Sequence, residues 1–152
     1  MISEATPTDR SVAEQIHAVS QAAYALEAER IGCADFPPLR ETLDGLRQCS
    51  DSFLVFQVAG RIVAALAFDR TTDPVLITRL VVSPAHLRRG IATALLVELE
   101  RRLPAARLKV STALANTAAV SLYERLGYAK AEVTSAEGIT LVRLVKANGH
   151  KV

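Results

Sequence analysis

Between Val75 and Leu103 the chain reads VLITRLVVSPAHLRRGIATALLVELERRL. From Val75 to Val82 the residues are apolar on both parities except at Thr78 and Arg79, the pattern of a strand covered on both faces in the middle of a sheet. Pro84 ends it, because proline cannot donate to a ladder and holds its predecessor, Ser83, extended. Beyond AHLRRG, Ile91, Leu95 and Leu99, with Ala92, Leu96 and Leu103 alongside, recur at helical spacing and make one broad apolar face. The spacing predicts a buried strand, a short basic loop and a long helix that starts close to Gly90.

A helix start carries unpaired N–H donors and a partial positive charge. Gly90 brings no side chain to keep a ligand's oxygens away from that backbone. Arg88 and Arg89 add charge at the same mouth, so the loop is an anion site suited to a pyrophosphate. Two other phosphate motifs do not fit: a P-loop needs a second glycine followed by Lys and Ser or Thr, and the dinucleotide fingerprint needs three spaced glycines with an acid further on.

Moving outward toward the N-terminus, Thr71–Pro74 is a turn, and SFLVFQV and IVAALAFDR are two β-type runs joined at Ala59-Gly60-Arg61. Before them lie a short strand (Ile2–Ala5), helix-start chemistry at Thr6-Pro7-Thr8-Asp9, and a helix from about Ser11 to Arg30. A break at Gly32–Pro38 and a second helix from about Leu39 to Arg47 follow. Toward the C-terminus, Arg101, Arg102 and Pro104 close the long helix. LKVSTAL (Leu108–Leu114) is the next strand, then Asn116 as N-cap of a helix Thr117–Leu126 ended by Gly127, and a closing hairpin around Ser135–Gly138. Strand, crossover helix, strand places Leu108–Leu114 parallel to Val75–Val82. The fold class is α+β, or mixed α/β, with a mostly antiparallel sheet of six to seven strands and flanking helices. One domain over 1–147 with a polar tail at 148–152 accounts for the chain.

The 152 residues, half of them hydrophobic, suffice for one core. A net charge of +2 with arginines in short pairs argues against nucleic acid as partner. Cys33 and Cys49 have neither metal-ligand spacing nor a nearby histidine, no leader is evident and no long apolar run marks a membrane span. These features describe a cytoplasmic protein of a reducing compartment, with no metal and no membrane partner.

The run LVVSP…RRGIATALL resembles the pyrophosphate-binding signature of the GNAT N-acetyltransferase superfamily, whose usual form is Arg or Gln, two residues, Gly, one residue, Gly or Ala. Gly90 and Ala92 match, and Leu87 stands where Arg or Gln is usual. A second stretch, NTAAVSLYERLGY, resembles the family's other signature at Asn116, Ala119, Leu122, Tyr123, Glu124, Gly127 and Tyr128. The resemblance implies a splay between the two parallel central strands and acetyl-CoA as co-substrate. It assigns the coenzyme to Leu80, Val81, Val82, Arg88, Arg89, Gly90, Ile91, Ala92, Thr93, Asn116, Ala119 and Tyr123. Leu80 and Val82 are expected to pair with the amides of the pantetheine arm, and an N–H near Val82 to polarise the thioester carbonyl. The implied activity is direct acetyl transfer to a primary amine, on a small molecule or a peptide, in a ternary complex; a homodimer is compatible with it.

Ala119, Tyr123 and Leu126 share one helical face, which aims the phenol inward, where it needs a partner. That partner is either a backbone carbonyl or, in the family reading, the sulfur of coenzyme A. A phenol lies above a thiol in pKa, and full proton transfer is uphill by about 2 kcal/mol, so Tyr123 acts by hydrogen bonding or in concert. Many relatives carry a Glu in the central strand, where this chain has Thr78 and Arg79. A lysine-like amine needs about 4.6 kcal/mol to be neutral at pH 7, and an α-amine about 1.4 kcal/mol. The base is then an ordered water or an acid from elsewhere, with Glu27, Asp35 and Glu41 the options. Asp35, Phe36 and Arg79 are candidates for substrate contact. For Arg79 the choice lies between an intramolecular ion pair and a hold on a substrate carboxylate. The empty base position also keeps open a non-catalytic acyl-CoA sensor or interaction module on the same fold.

Overall fold

In the computed structural model, which describes residues 1–147, the expected elements follow in the expected order. They are β1 (Ile2–Ala5), α1 (Arg10–Ile31), α2 (Leu43–Arg47), β2 (Ser52–Val58), β3 (Arg61–Asp69), β4 (Val75–Val82), α3 (Ile91–Arg102), β5 (Arg107–Ala113), α4 (Thr117–Arg125), β6 (Ala129–Ala136) and β7 (Ile139–Ala147). The tail expected at 148–152 lies outside the described residues.

Local chemistry sets the boundaries. Asp9 caps α1, its carboxylate accepting from the Val12 N–H at 3.2 Å. Asn116 caps α4 in the same way, accepting from the Ala119 N–H at 3.2 Å. Both tight hairpins turn on two residues of positive φ, Ala59-Gly60 at 52° and 79° and Glu137-Gly138 at 50° and 79°, the combination that matches the twist of the flanking strands. Arg61 accordingly belongs to β3 rather than to the turn. One expected element divides: instead of a helix over Leu39–Arg47, a single 3-10 turn spans Pro37–Arg40, Glu41 is extended, and α2 starts after Thr42. The hydroxyl of Thr42 accepts from the Gly45 N–H at 3.0 Å and so fixes a new helix start.

The seven strands form one sheet in the order β1-β2-β3-β4-β5-β7-β6, antiparallel throughout except for β4 with β5. The period of two divides each central strand between two cores. Leu54, Leu66, Ile77, Leu108 and Val110 face α3 and α4 and meet Leu95, Leu96 and Leu99. Phe53, Val55, Ala65, Ala67 and Val81 face α1 and α2 and meet Ala13, Ile16 and Leu46.

The parallel pair is short. It runs through Val75↔Leu108, Leu76↔Lys109 and Ile77↔Val110 and stops. At that point β4 carries a bulge, because Arg79 opposes Ala67 and Ile77 opposes Phe68, leaving Thr78 unpaired in the ladder. The Thr78 hydroxyl donates instead to Asp51 Oδ2 at 2.6 Å. From Thr78 onward β4 stays with β3 while β5 stays with β7, and the two strands diverge.

The α3 face carries much of the packing. Truncating Leu99, which is fully buried, to Ala is expected to cost about 2–5 kcal/mol in urea denaturation. Val97→Ala on the outer face, where the side chain is 53% exposed, is expected to stay within about 0.5 kcal/mol of the native chain.

Candidate active site at the strand splay

The splay presents main-chain groups that have lost a neighbour. The Ser83 N–H donates to Val63 O at 2.8 Å, so along this part of β4 the odd positions Ser83, Val81 and Arg79 direct their backbone groups at β3. The even positions, Leu80 and Val82, direct theirs into the gap. On the facing wall the Leu114 N–H donates to Thr140 O at 2.9 Å, which commits the even positions of β5 to β7 and leaves Ser111 and Ala113 facing the gap. The wedge is thus lined by backbone donors and acceptors without a strand between them.

Two cavities open along it, and Asn116 lines both. The outer one, about 550 Å³, has Gly90, Ile91, Ala92 and Thr93 at the start of α3, with Val82 and the first residues of α4 opposite. Gly90 stands at φ 73° as the N-cap and has no side chain to occupy the first-turn N–H groups. No atom lies within 4 Å of where a Cβ would stand. Among the described residues, Arg30, Arg88 and Arg125 line this cavity, no carboxylate does, and the buried Nδ1 of His86 has no partner. A helix start and three guanidinium groups make this mouth electropositive.

The inner cavity, about 340 Å³, is lined by both splayed strands, by Tyr24 and Glu27 of α1, by Phe36–Pro38, by Asn116, Ala119 and Tyr123, and by Glu137 at the β6–β7 turn. Tyr123 is 4% exposed and its hydroxyl has no hydrogen-bond partner among the described residues. Its ring is held edge-on by Tyr128 at 5.5 Å, and the Tyr128 hydroxyl is 3.5 Å from Glu100, which also binds Lys146 at 2.6 Å. Burial pushes the Tyr123 phenol above its ordinary pKa, and the nearby Glu27 carboxylate pushes it the same way. Burial likewise raises Glu27, against a hydrogen bond that the Asn116 side-chain amide donates to its Oε2 at 3.0 Å. The amide of Asn116 therefore caps α4 with its oxygen and ties down Glu27 with its nitrogen.

Arg79 also lines the inner cavity, but its fork is engaged. Both terminal nitrogens donate to the Glu41 carboxylate, and Nη1 also donates to Ser20 Oγ at 2.8 Å. The guanidinium carbon lies 5.6 Å above the Phe53 ring, and the Nε is buried without a partner. Of the two readings of Arg79, the intramolecular ion pair is the arrangement present. The pair also occupies Glu41; of the three candidate bases, Glu27 lines the cavity, which Glu137 of the β6–β7 turn lines as well. Asp35 is exposed and pairs with Arg40 at 3.0 Å outside the cavity, whereas Phe36 lines it, edge-on to Tyr24 at 6.3 Å.

Of the positions expected to hold the coenzyme, Val82, Arg88, Gly90, Ile91, Ala92, Thr93 and Asn116 line the outer cavity, and Leu80, Asn116, Ala119 and Tyr123 the inner one. Two fall elsewhere. The Val81 side chain is buried under α1, and Arg89 is exposed and lines neither cavity. Tyr24, Arg30, His86 and Arg125 were not anticipated. For the first a signal existed: Ser20, Tyr24 and Glu27 continue the inward stripe of Ala13 and Ile16 at helical spacing, with polar groups where a core face calls for apolar ones.

Comparison with known proteins agrees with this geometry. Residues 18–128 match the sequence pattern of the Acetyltransferase (GNAT) family. A curated relative, UPF0157 protein YqkA of Bacillus subtilis (strain 168), is 34% identical over 135 residues, covering 88% of this chain and 39% of its own length, so the chain spans about two-fifths of that protein. The ribosomal-protein-S18-alanine N-acetyltransferase of Escherichia coli superposes with a TM-score of 0.75 at 18% identity, over 100% of this chain and 97% of that one. The PaiA N-acetyltransferase of Thermoplasma acidophilum, solved in complex with coenzyme A, gives 0.75 at 14% identity over 94% and 98%. These structures share the fold; the family match spans both motifs and well over half of the sequence, and the chain belongs to the GNAT acetyltransferase family.

Proposed function

We propose that the protein transfers the acetyl group of acetyl-CoA to the nitrogen of a primary amine, by direct attack in a ternary complex. The observation that carries this reading is Tyr123, a buried side chain whose hydroxyl has no partner among the described residues, lining one cavity with Glu27 at the inner end of a wedge whose outer end is a helix start ringed by arginines. The pyrophosphate sits at the first turn of α3 with Arg30, Arg88 and Arg125 around it. The pantetheine arm fills the wedge as a strand-like insert against the free backbone groups of Leu80 and Val82. The thioester then lies beside Tyr123.

Glu27 takes the proton of the incoming amine. Burial raises its pKa, which makes its carboxylate a stronger base than an exposed one. The amine nitrogen forms its bond to the carbonyl carbon, the carbon–sulfur bond breaks, and the thiolate receives a hydrogen bond and finally the proton of Tyr123. Solvent restores that proton and removes the one held by Glu27, so the products are the amide and free thiol. Because burial raises the phenol, Tyr123 gives its proton only as negative charge accumulates on sulfur. The competing reading, a sensor without turnover, drew its support from the lack of an acid in the central strand, and Glu27 on α1 supplies one.

Tyr123→Phe is expected to lower turnover about ten- to a thousandfold, measured as thiol release from acetyl-CoA, with coenzyme A affinity and unfolding midpoint almost unchanged. A fall in stability with an intact rate per folded molecule is the opposite outcome and supports the sensor.

For Glu27 the pH dependence has a definite sign. With its folded pKa above the unfolded one, the folded chain binds more protons between the two values, so stability falls as pH rises through that window. Glu27→Gln is expected to abolish both that fall and the rising acid limb of kcat/KM. The variant is expected to be at least as stable as the native chain at neutral pH, and far slower. Urea denaturation and pH–rate profiles, run side by side, check both halves.

A further inference from the structure

The charges around the inner cavity are unevenly satisfied. Arg79, the one cation that lines it among the described residues, is paired with Glu41, while Glu27 and Glu137 line it as acids. At its rim Arg40 reaches between two acids from separate parts of the chain: Nη1 donates to Glu137 Oε1 at 2.9 Å and Nη2 to Asp35 Oδ2 at 3.0 Å. Asp35 and Glu137 are 102 positions apart, on the loop after α1 and on the β6–β7 turn, yet they stand within reach of one guanidinium. All three side chains are more than half exposed, so the arrangement contributes little to stability. What it does is hold two carboxylates around a space that a cation fills, beside a cavity lined by Tyr123, a residue more than nine-tenths buried whose hydroxyl has no partner among the described residues.

We infer that the acceptor is an amine carrying a second positive charge and no carboxylate, and that its distal cation displaces Arg40 between Asp35 and Glu137 while its reacting nitrogen meets Glu27. This rests on the acetyltransferase reading and narrows its acceptor. A carboxylate-bearing amine finds no free cation among the described residues, since the Arg79 and Arg40 guanidinium groups are already paired, and it meets Glu137 as a like charge. A diamine finds an acid at each end, in a cavity that Tyr24 and Phe36 also line. The expectation of a carboxylate held by Arg79 is thereby reversed in sign.

The test is a matched set of acceptors: butylamine, the straight-chain diamine of the same length, and γ-aminobutyrate, which differ only in the charge of the far end. With the intact chain and saturating acetyl-CoA, kcat/KM is expected to be highest for the diamine, and lower for γ-aminobutyrate by about tenfold or more. Glu137→Gln is expected to lower the diamine's value by about fivefold and leave butylamine alone. Arg40→Gln, which removes the group occupying the position, is expected to raise the diamine's value; a latch that merely holds the rim together predicts a loss for all three amines.

Calorimetric titration of the same amines into the protein with coenzyme A separates this inference from the reading beneath it. Binding of the diamine that depends on Glu137 without thiol release sustains the inference and removes the enzyme. Thiol release with γ-aminobutyrate as good as the diamine, or an equal effect of Glu137→Gln on all three, sustains the enzyme and overturns the inference. Failure of the diamine to bind overturns it as well.

Discussion

Beyond Ile77 and Val110 the two parallel strands at the centre of the sheet no longer bond to each other, and the rest of the site is arranged around that missing ladder. A strand that loses a neighbour in the middle of a sheet leaves N–H and C=O groups that must be satisfied from elsewhere, each at a cost of roughly 1–3 kcal/mol if it is not. The unpaired residue at Thr78 coincides with the point of separation: the bulge turns β4 aside, and the Asp51 carboxylate takes the hydroxyl that marks it. On the other wall, β7 pairs with β5 along its whole length and holds it away. The gap is therefore maintained by pairing on both outer sides.

The helices then serve the two ends of the gap. At the outer end the crossover that makes β4 and β5 parallel also brings the start of α3 to the wedge, so one connection sets both the strand direction and the basic mouth of the outer cavity. At the inner end α1 crosses over the splay, and its inward stripe changes from Ala13 and Ile16 to Ser20, Tyr24 and Glu27 as it leaves the covered part of the sheet. The buried Arg79–Glu41 pair belongs to this transition. Bringing both charges out of water offsets much of their attraction, so the pair adds little net stability; it does fix the α1–α2 connection against β4 and removes one cation from the cavity. Tyr123 is arranged differently: its ring is buried, while its hydroxyl has no partner among the described residues and is directed at the inner cavity.

Much of this was readable from residue order. The apolar run Val75–Val82 and the helical spacing after Gly90 established a central strand, a helix start at Gly90 and a parallel crossover, because period and punctuation are local properties. Tyr123 was legible for the same reason, by its spacing from Ala119 and Leu126. Three things were not. The divided helix at Leu39–Arg47 depends on whether Thr42 turns its hydroxyl onto a backbone N–H, which a helical pattern does not reveal. The engagement of Glu41 by Arg79, which distinguishes it from the other acids, is a contact across 38 positions. The basic outer cavity gathers Arg30, Arg88 and Arg125 from a helix end, a loop and another helix end, and single arginines scattered along a chain announce nothing until the fold assembles them.

The central claim is that the coenzyme's arm replaces the missing strand between β4 and β5. Amide hydrogen exchange, residue by residue, with and without coenzyme A, tests it most directly. The expected result is strong new protection at Leu80, Val82, Ser111 and Ala113 and at the first turn of α3, with no change at the odd positions of β4, whose N–H groups already bond to β3. Unchanged exchange at Leu80 and Val82 under saturating coenzyme A, or protection spread evenly over the sheet, contradicts the account.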